Sequence, residues 1–278
     1  MTQDSVQIEK SHQLSTYNGS WYLRLYKQSQ DNLVRLQKVL ESCLNGFWLG
    51  VLTYSSLQEI DEIYYSNDKS YYSSEYNKKG LKEWEKKAVD EYFTNYPKLL
   101  LIAAGGGREV YHLLKMGFEV DAYECHPGLT DFANKLLIQE GFNSSVKVAP
   151  RDKCPAGNKK YDSSIVGWGA YTHILGRERR IKFLKEIREQ LNENAPLLVS
   201  FWARVGNSWR HKSIAYIGNT LRFCLNRERL EIGDDININF VHYFTEQEIR
   251  SEMKEAGFNL IFYSRKPYGH AVGVAVNN

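Results

Sequence analysis

Hydrophobic positions in the first third of the chain repeat with helical spacing. Four leucines fall three or four residues apart, on one face of a predicted helix over 31–44: Leu33, Leu36, Leu40 and Leu44. A similar pattern predicts a second helix over 80–93. We therefore expect residues 1–96 to form a mostly helical N-terminal cap.

After Pro97 the pattern changes to short apolar strands that alternate with helices. Strands are predicted at 98–103, 118–123, 146–149, 163–167, 196–202, 258–264 and 271–276. Such alternation is typical of a mostly parallel sheet with helices on both faces. The last two strands are joined by a link too short for a helix, so they must form an antiparallel hairpin. The sequence thus predicts an α/β domain over 97–278, with a seven-stranded, mostly parallel sheet, an antiparallel terminal hairpin and an insertion at about 203–239.

Composition and charge narrow the class of protein. The net charge of +3 at pH 7 is a small excess and does not indicate nucleic-acid binding. The four cysteines are far apart and form no CxxC pair, which argues against a metal knuckle or a disulfide framework. No apolar run reaches the roughly 18 residues of a membrane span, and the polar first ten residues show no signal-peptide pattern. We expect a cytoplasmic protein.

Small residues join the first predicted strand to its helix. The sequence LLLIAAGGGRE runs from an apolar strand into Gly105, Gly106 and Gly107. Glycine permits a tight turn and lets the backbone approach a ligand without a Cβ in between. A dinucleotide-binding turn needs a further glycine five residues after Gly105, where this chain has valine. Small residues at alternate positions, Ala103, Gly105 and Gly107, instead favour a turn that binds a nucleoside.

Other candidate residues stand at the carboxyl ends of the following strands, the edge at which open parallel sheets bind ligands. Glu124 ends the second strand at the spacing from Gly105 expected of an acid that accepts from both ribose hydroxyls. Asp152 follows the third strand and could accept from an adenine amino group, although a solvated loop aspartate fits almost as well. The predicted cofactor-binding set is completed by Cys125, Gly167 and Trp168.

Together these residues resemble the class I S-adenosylmethionine-dependent methyltransferases over about 80–278. The glycine turn is similar to the first motif of that superfamily, Glu124 to its ribose-binding acid, and Asp152 to its adenine-side acid. Position 101 departs from the family, which commonly has an acid there, and Leu101 removes one contact to the methionine part. The resemblance, which extends to uncharacterised bacterial members, implies a Rossmann-like core, S-adenosylmethionine as the cofactor and methyl transfer as the reaction.

Two histidines are candidates for a general base. His173 follows the fourth strand by a few residues, near where the methyl group should point, and histidine ordinarily titrates near working pH. His242 is a rival, because it precedes the last crossover helix and could reach the same edge of the cleft. Because the methyl donor is already activated, alignment of the acceptor could also suffice without a base. We expect no metal site and interpret Asp234–Asp235 as a solvated loop pair.

The leading hypothesis for the acceptor is a small molecule, covered by the helical cap and the insertion. The candidate lining residues are Tyr17, Trp21, Tyr71, Tyr72, Tyr76 and Tyr171. Basic residues at 177–180 and in the insertion suggest RNA or protein as an alternative acceptor, although they are interleaved with acids. The run from Gly167 lacks the Pro-Pro motif of nucleobase N-methylating members, which disfavours that acceptor. A non-catalytic binding module with this fold is the third interpretation.

Overall fold

The structure, a computed structural model, describes residues 20–157 and 159–276. Within these residues four helices precede the sheet: α1 Trp21–Val51, α2 Tyr54–Asn67, α3 Ser74–Lys78 and α4 Glu83–Tyr92. Both helices predicted in this region are present, and the first is longer at each end than its leucine pattern indicates. The start of α2 is fixed by Thr53, whose hydroxyl accepts from the backbone N–H of Ser56. The candidate Tyr17 lies outside the described residues.

Within the described residues one sheet contains nine strands. They are β1 Lys98–Ile102, β2 Glu119–Glu124, β3 Val146–Val148, β4 Ser163–Val166, β5 Pro196–Ala203, β6 Asp234–Asn237, β7 Asn239–Phe244, β8 Phe258–Ser264 and β9 Gly269–Ala275. Seven of them follow the order β3-β2-β1-β4-β5-β9-β8, with parallel pairing from β3 to β5 and an antiparallel β9 between β5 and β8. This confirms the predicted sheet and its terminal hairpin.

The other two strands, β6 and β7, extend the sheet beyond the predicted seven. They pair antiparallel with each other, and β7 runs parallel to the last two residues of β5. The prediction that Asp234 and Asp235 form a solvated pair is wrong, because both are buried in β6. Their carboxylates are paired instead, Asp234 with His242 at 2.6 Å and Asp235 with Arg210 at 2.6 Å.

The remaining helices cover the two faces of the sheet. They are α5 Arg108–Lys115, α6 Pro127–Gln139, α7 Arg177–Arg188, α8 Trp209–Cys224 and α9 Glu246–Glu255, with a 3₁₀ turn at Ala170–His173. Strand β1 shows why both faces are apolar: Leu100 and Ile102 pack into the core under α7 and α9, whereas Leu99 and Leu101 pack into the core under α4, α5 and α6. The carboxyl end of β1 is therefore held rigidly from both sides.

Two of the contacts that attach the N-terminal helices to the rest of the chain are a close helix packing and a buried ion pair. Helix α1 packs along α8 through glycines, since a Cβ on Gly46 would lie 2.9 Å from the Ile217 Cβ. Helix α4 is attached by a buried ion pair in which the Arg108 guanidinium donates to both Glu85 carboxylate oxygens, at 2.6 and 2.7 Å. The second attachment lies directly beside the glycine turn.

Candidate active site

A cavity of about 1020 Å³, including its open mouth, lies at the carboxyl ends of β1, β2 and β4. Its floor comes from the sheet edge and its far wall from α2 and the α2–α4 connection. The wall contains aromatic side chains, Tyr65, Tyr71, Tyr76 and Trp168. Apolar walls with a few convergent polar groups are typical of small-molecule sites.

The glycine turn forms one side of this cavity. Its shape is fixed by backbone hydrogen bonds, from the Ala104 N–H to the Tyr123 carbonyl at 3.0 Å and from the Gly107 N–H to the Ala104 carbonyl at 3.0 Å. Gly105 has a φ of +54°, and a Cβ there would meet nothing within 4 Å. Gly106 is closed in on the other side, because its Cβ would lie 2.3 Å from the Tyr71 carbonyl oxygen. The bare backbone of Gly105 thus faces open space where a ligand can approach.

Glu124 lies beside this turn and is oriented by it. One carboxylate oxygen accepts from the Gly105 N–H at 2.7 Å, and the other accepts from the His126 N–H at 2.9 Å. An ionised carboxylate offers about four lone-pair positions, so each oxygen keeps a position for a further donor. The side chain is buried and lines the cavity. This is a fixed acceptor for a ligand that carries two neighbouring hydroxyls.

A second polar group forms the rim opposite the glycine turn. Asp152, at a φ of +57°, accepts a short hydrogen bond from the Tyr54 hydroxyl. The neighbouring Arg151 donates to the Asp61 carboxylate at 3.0 Å. Burial raises the pKa of Asp61 to about 7, although Arg151 opposes the shift. Burial likewise raises the pKa of the nearby Cys125 thiol to about 12, so that this thiol stays protonated and unreactive at neutral pH.

A buried ion pair of Arg108 and Glu109 lies at the start of α5. The Glu109 carboxylate accepts from the Arg108 guanidinium at 2.5 Å and from the Trp168 backbone N–H at 3.2 Å. Both Arg108 and Glu109 line the cavity. Burial raises the pKa of Glu109, with the Arg108 charge opposing the shift. The pair presents opposite charges close to the glycine turn, although the sequence has no acid at position 101.

His173 ends the 3₁₀ turn and contributes its ring to the cavity wall. Its Nδ1 lies 2.7 Å from the Phe240 carbonyl oxygen, which can only accept, so Nδ1 carries the proton. Nε2 is then the basic atom, and it lies 3.2 Å from the Tyr65 hydroxyl. Burial lowers the pKa of His173, so the ring is neutral at pH 7.

The structure brings many of the predicted residues together in one cavity. Those that line it are Ala103, Gly105, Gly106, Glu124, Cys125, Asp152, Trp168, His173, Tyr71 and Tyr76. Gly107 and Gly167 stand behind the wall and shape it. Gly107 precedes α5 at a φ of +93°, and a Cβ on Gly167 would lie 1.9 Å from the Ala103 carbonyl oxygen.

Four other candidates lie away from the cavity, and the structure does not support their predicted roles. The Tyr171 hydroxyl donates to Glu252 at 2.6 Å in the core under α9. Trp21 is 72% exposed at the start of α1. Tyr72 packs edge-on against Phe132 outside the lining. His242 lies within β7, is fully buried and does not line the cavity, so the structure does not support it as the rival base.

His242, Glu231 and Asp234 each offer one atom that could bind a metal ion, and these three atoms lie within 4.8 Å of one another. The Arg180 guanidinium lies 2.9 Å from the Glu231 carboxylate and therefore already supplies positive charge there. We assign this group to the buried ion-pair network of the core.

Sequence patterns did not indicate several cavity residues. Tyr65 and Arg151 come from segments without a motif, and only the fold places them at the cavity. Arg108 and Glu109 directly follow the glycine turn, and their position at a helix start was the available signal.

Among the described residues no helix is both long and apolar enough to cross a membrane.

Comparison with known proteins places the fold. No protein-family model and no curated protein sequence matches the chain. Among solved structures, an S-adenosylmethionine-dependent methyltransferase of Methanosarcina mazei is 16% identical, with a TM-score of 0.55 over 72% of this chain and 100% of that one. A sugar N-methyltransferase of Streptoalloteichus is 14% identical, with a TM-score of 0.52 over 70% of this chain and 86% of that one. An amino pentose methyltransferase of Micromonospora echinaspora, solved with S-adenosylmethionine bound, is 13% identical, with a TM-score of 0.52 over 74% of this chain and 96% of that one. The chain has the fold of the class I S-adenosylmethionine-dependent methyltransferases.

Proposed function

We propose that this protein binds S-adenosylmethionine in the cavity and transfers its methyl group to a small-molecule acceptor. One observation supports this most directly: the Gly105 N–H holds the Glu124 carboxylate in place, and both residues line the same cavity. A nucleoside with a free ribose diol fits that pairing of a carboxylate and an open backbone surface.

The residues present fit each part of the cofactor. Glu124 would accept from the ribose hydroxyls. The open space at Gly105 admits the nucleoside, since no side chain competes for it. Asp152 would accept from the adenine amino group and still keep its bond from Tyr54, because one carboxylate accepts several donors.

The methionine end needs a different arrangement from the family pattern, because Leu101 offers no charge. Glu109 and Arg108 line the cavity next to the glycine turn and present one charge of each sign. We propose that Glu109 accepts from the α-amino group. The four terminal N–H donors of Arg108 are taken by Gly80, Glu85 and Glu109, so Arg108 contributes its positive charge near the α-carboxylate and no direct hydrogen bond. Arg108 stays oriented by Glu85, which leaves Glu109 as the acid available to the ligand.

Once bound, S-adenosylmethionine supplies an activated methyl group, so the protein mainly aligns the acceptor and excludes water. The aromatic wall of Tyr65, Tyr71 and Trp168 provides that shielding. His173 would take the acceptor's proton on Nε2, since Nδ1 is already protonated and held by the Phe240 carbonyl. Tyr65, whose hydroxyl contacts Nε2, would position the acceptor or relay its proton.

Most of the basic residues that suggested RNA or protein as an acceptor have partners within the described part of the chain. Side chains with acidic partners include Arg177 with Glu255, Arg179 with Glu228, Arg180 with Glu252, Arg204 with Glu248 and Arg210 with Asp235. Arg222 and Arg227 donate to backbone carbonyls at the end of α1. Phosphate contacts would have to break these pairs, so a small-molecule acceptor is favoured.

Calorimetry with S-adenosylhomocysteine tests the cofactor part of the proposal. We expect saturable one-to-one binding to the full chain, and complete absence of binding would overturn it. Release of S-adenosylhomocysteine from S-adenosylmethionine, measured with pools of amines, phenols and sugars and with total RNA, tests the acceptor part. Turnover with RNA alone would refute the small-molecule assignment, and binding without turnover in any pool would favour a non-catalytic module.

A further inference from the structure

The first two-thirds of α1 carry an apolar face that nothing in the described part of the chain covers. Residues 21–41 have no buried member, and Lys27 alone is half-buried. Contact with α8 begins near Glu41, which lies 3.6 Å from Arg210, and continues through Gly46 and Gly50. The helix thus extends about 30 Å beyond its packing partner, at 1.5 Å per residue.

The exposed face follows a heptad repeat. With Tyr26 at position a, the a and d positions from residue 22 to residue 47 are Tyr22, Tyr26, Ser29, Leu33, Leu36, Leu40, Cys43 and Phe47. The six large side chains among them are between 44% and 64% exposed. We call this set the α1 seam. A repeat of 3.5 residues is the pattern by which one helix packs against another helix.

Charge placement supports the same conclusion. All six charged residues of α1 fall at the outer b, c and f positions: Arg24, Lys27, Asp31, Arg35, Lys38 and Glu41. The e and g positions that flank the seam hold only Leu, Gln, Asn, Val and Gly. In a two-fold interface the same surface meets itself, so like charges along it would repel. Two identical α1 seams can meet without such repulsion.

The size of the seam suits a homotypic contact. From Tyr22 to Phe47 it spans about 38 Å at 1.5 Å per residue, and a helix is about 10 Å wide, which gives about 400 Å² in projection. The largest apolar patch on a typical monomer measures about 300–600 Å² and is often functional, and the seam falls within that range. Among the described residues, α8 carries one exposed aromatic residue per heptad, Trp209, Tyr216 and Phe223, but Lys212 and Asn219 occupy its corresponding d positions. The matching partner for the seam is another α1.

We propose that α1 is a dimerisation helix whose seam packs against the same seam of a second copy of this chain. Pairing would bury Leu33, Leu36 and Leu40 of both copies and turn the exposed helix into one strand of a two-helix coiled coil. The proposal rests on the surface of α1 and is independent of the proposed methyltransferase activity.

Sedimentation equilibrium of the full chain tests this proposal. We expect a particle of twice the chain mass. The double substitution Leu33→Glu with Leu36→Glu should raise the dimer dissociation constant at least about a hundredfold, because it replaces two buried leucines per copy with charges. The matched controls are Lys38→Glu on the outer face of α1 and Tyr216→Glu on α8, and both should leave the dimer intact. Circular dichroism should show that each variant remains folded, because these positions lie on exposed helix faces.

Three outcomes would overturn the proposal. They are a monomeric wild type at all concentrations, a double variant that dimerises as well as the wild type, and dissociation by Tyr216→Glu in place of the α1 variant. A monomer that co-sediments with vesicles of anionic phospholipid would assign the seam to a membrane surface instead.

Discussion

Glu124→Gln separates the role of this carboxylate in binding from its role in the fold. The glutamine has the same shape, and its amide oxygen can still accept from one of the two backbone N–H groups, Gly105 or His126. Its NH₂ group cannot accept, so one N–H and one ribose hydroxyl lose their acceptor. A hydrogen bond to a charged acceptor contributes about 1.5–3 kcal/mol. We therefore expect S-adenosylhomocysteine to bind about 10- to 150-fold more weakly.

The measurement is the dissociation constant from calorimetry at neutral pH, with thermal unfolding of the free variant as a check on the fold. Glu119→Gln is the matched control, because it makes the same chemical change at the exposed opposite end of β2. The control should bind like the wild type. If Glu124→Gln bound within about twofold of wild type, the lone pairs that face the cavity would not contact the ligand, and the ribose assignment would fail.

Three further predictions follow from the site. Gly105→Val should abolish cofactor binding in a folded protein, because the valine side chain enters the open space and disfavours the φ of +54°. The control Gly141→Val, also at positive φ with open space around it, should bind the cofactor normally. An equal loss of binding in both variants would make backbone strain the cause. With an identified acceptor, His173→Gln should lower kcat about 10²- to 10⁴-fold and leave the cofactor affinity unchanged. The acidic limb of the wild-type pH–rate profile should lie below pH 6.5, because burial lowers the pKa of His173. An acidic limb that survives His173→Gln would exclude this base. The wild type should lose stability as pH rises from about 4 to 7, because the pKa of Asp61 in the folded protein, about 7, exceeds its ordinary value of 3.8. Asp61→Asn should not show this loss. A difference in melting temperature between wild type and variant that stays constant from pH 4 to pH 8 would contradict this.

Much of the fold could be predicted from local patterns. The seven core strands are short apolar runs bounded by turns, and their alternation with helices predicts mostly parallel pairing. Helix α9 was marked at its start by Thr245 and Glu248, which form the capping box that their spacing predicts. Strands β6 and β7 could not be predicted in this way, because β6 contains Asp234 and Asp235, and an acidic run is normally solvated. Only the pairing of these acids with His242 and Arg210 makes their burial possible.

The candidate site was predictable where it depends on the sheet edge. Glu124 and Gly105 meet because the parallel neighbours β1 and β2 end at the same edge of the sheet. The spacing of the two residues along the chain already indicates this contact. Tyr65 and Arg151 could not be found, because their contacts with His173 and Asp61 join residues about 100 positions apart in sequence. The predictions for Tyr171 and His242 failed for a related reason. Tyr171 follows β4 and His242 precedes α9 at suitable distances, but the sequence does not show whether such a side chain points into the cleft or into the core.

The buried ion pairs around Arg108 connect the folding of the N-terminal helices to the proposed chemistry. Arg108 is shared between Glu85 of α4 and Glu109 at the cavity, so its position depends on both. Burying these charges is costly unless they are paired, and the single Arg108 cation serves two carboxylates. A glutamine at position 85 would therefore leave Glu109 as the one carboxylate partner of Arg108, which would hold the acid assigned to the α-amino group more tightly. Under the proposed assignment, helix α4 thus acts on the cavity through Arg108, and Glu109 takes the place of the acid that is absent at position 101.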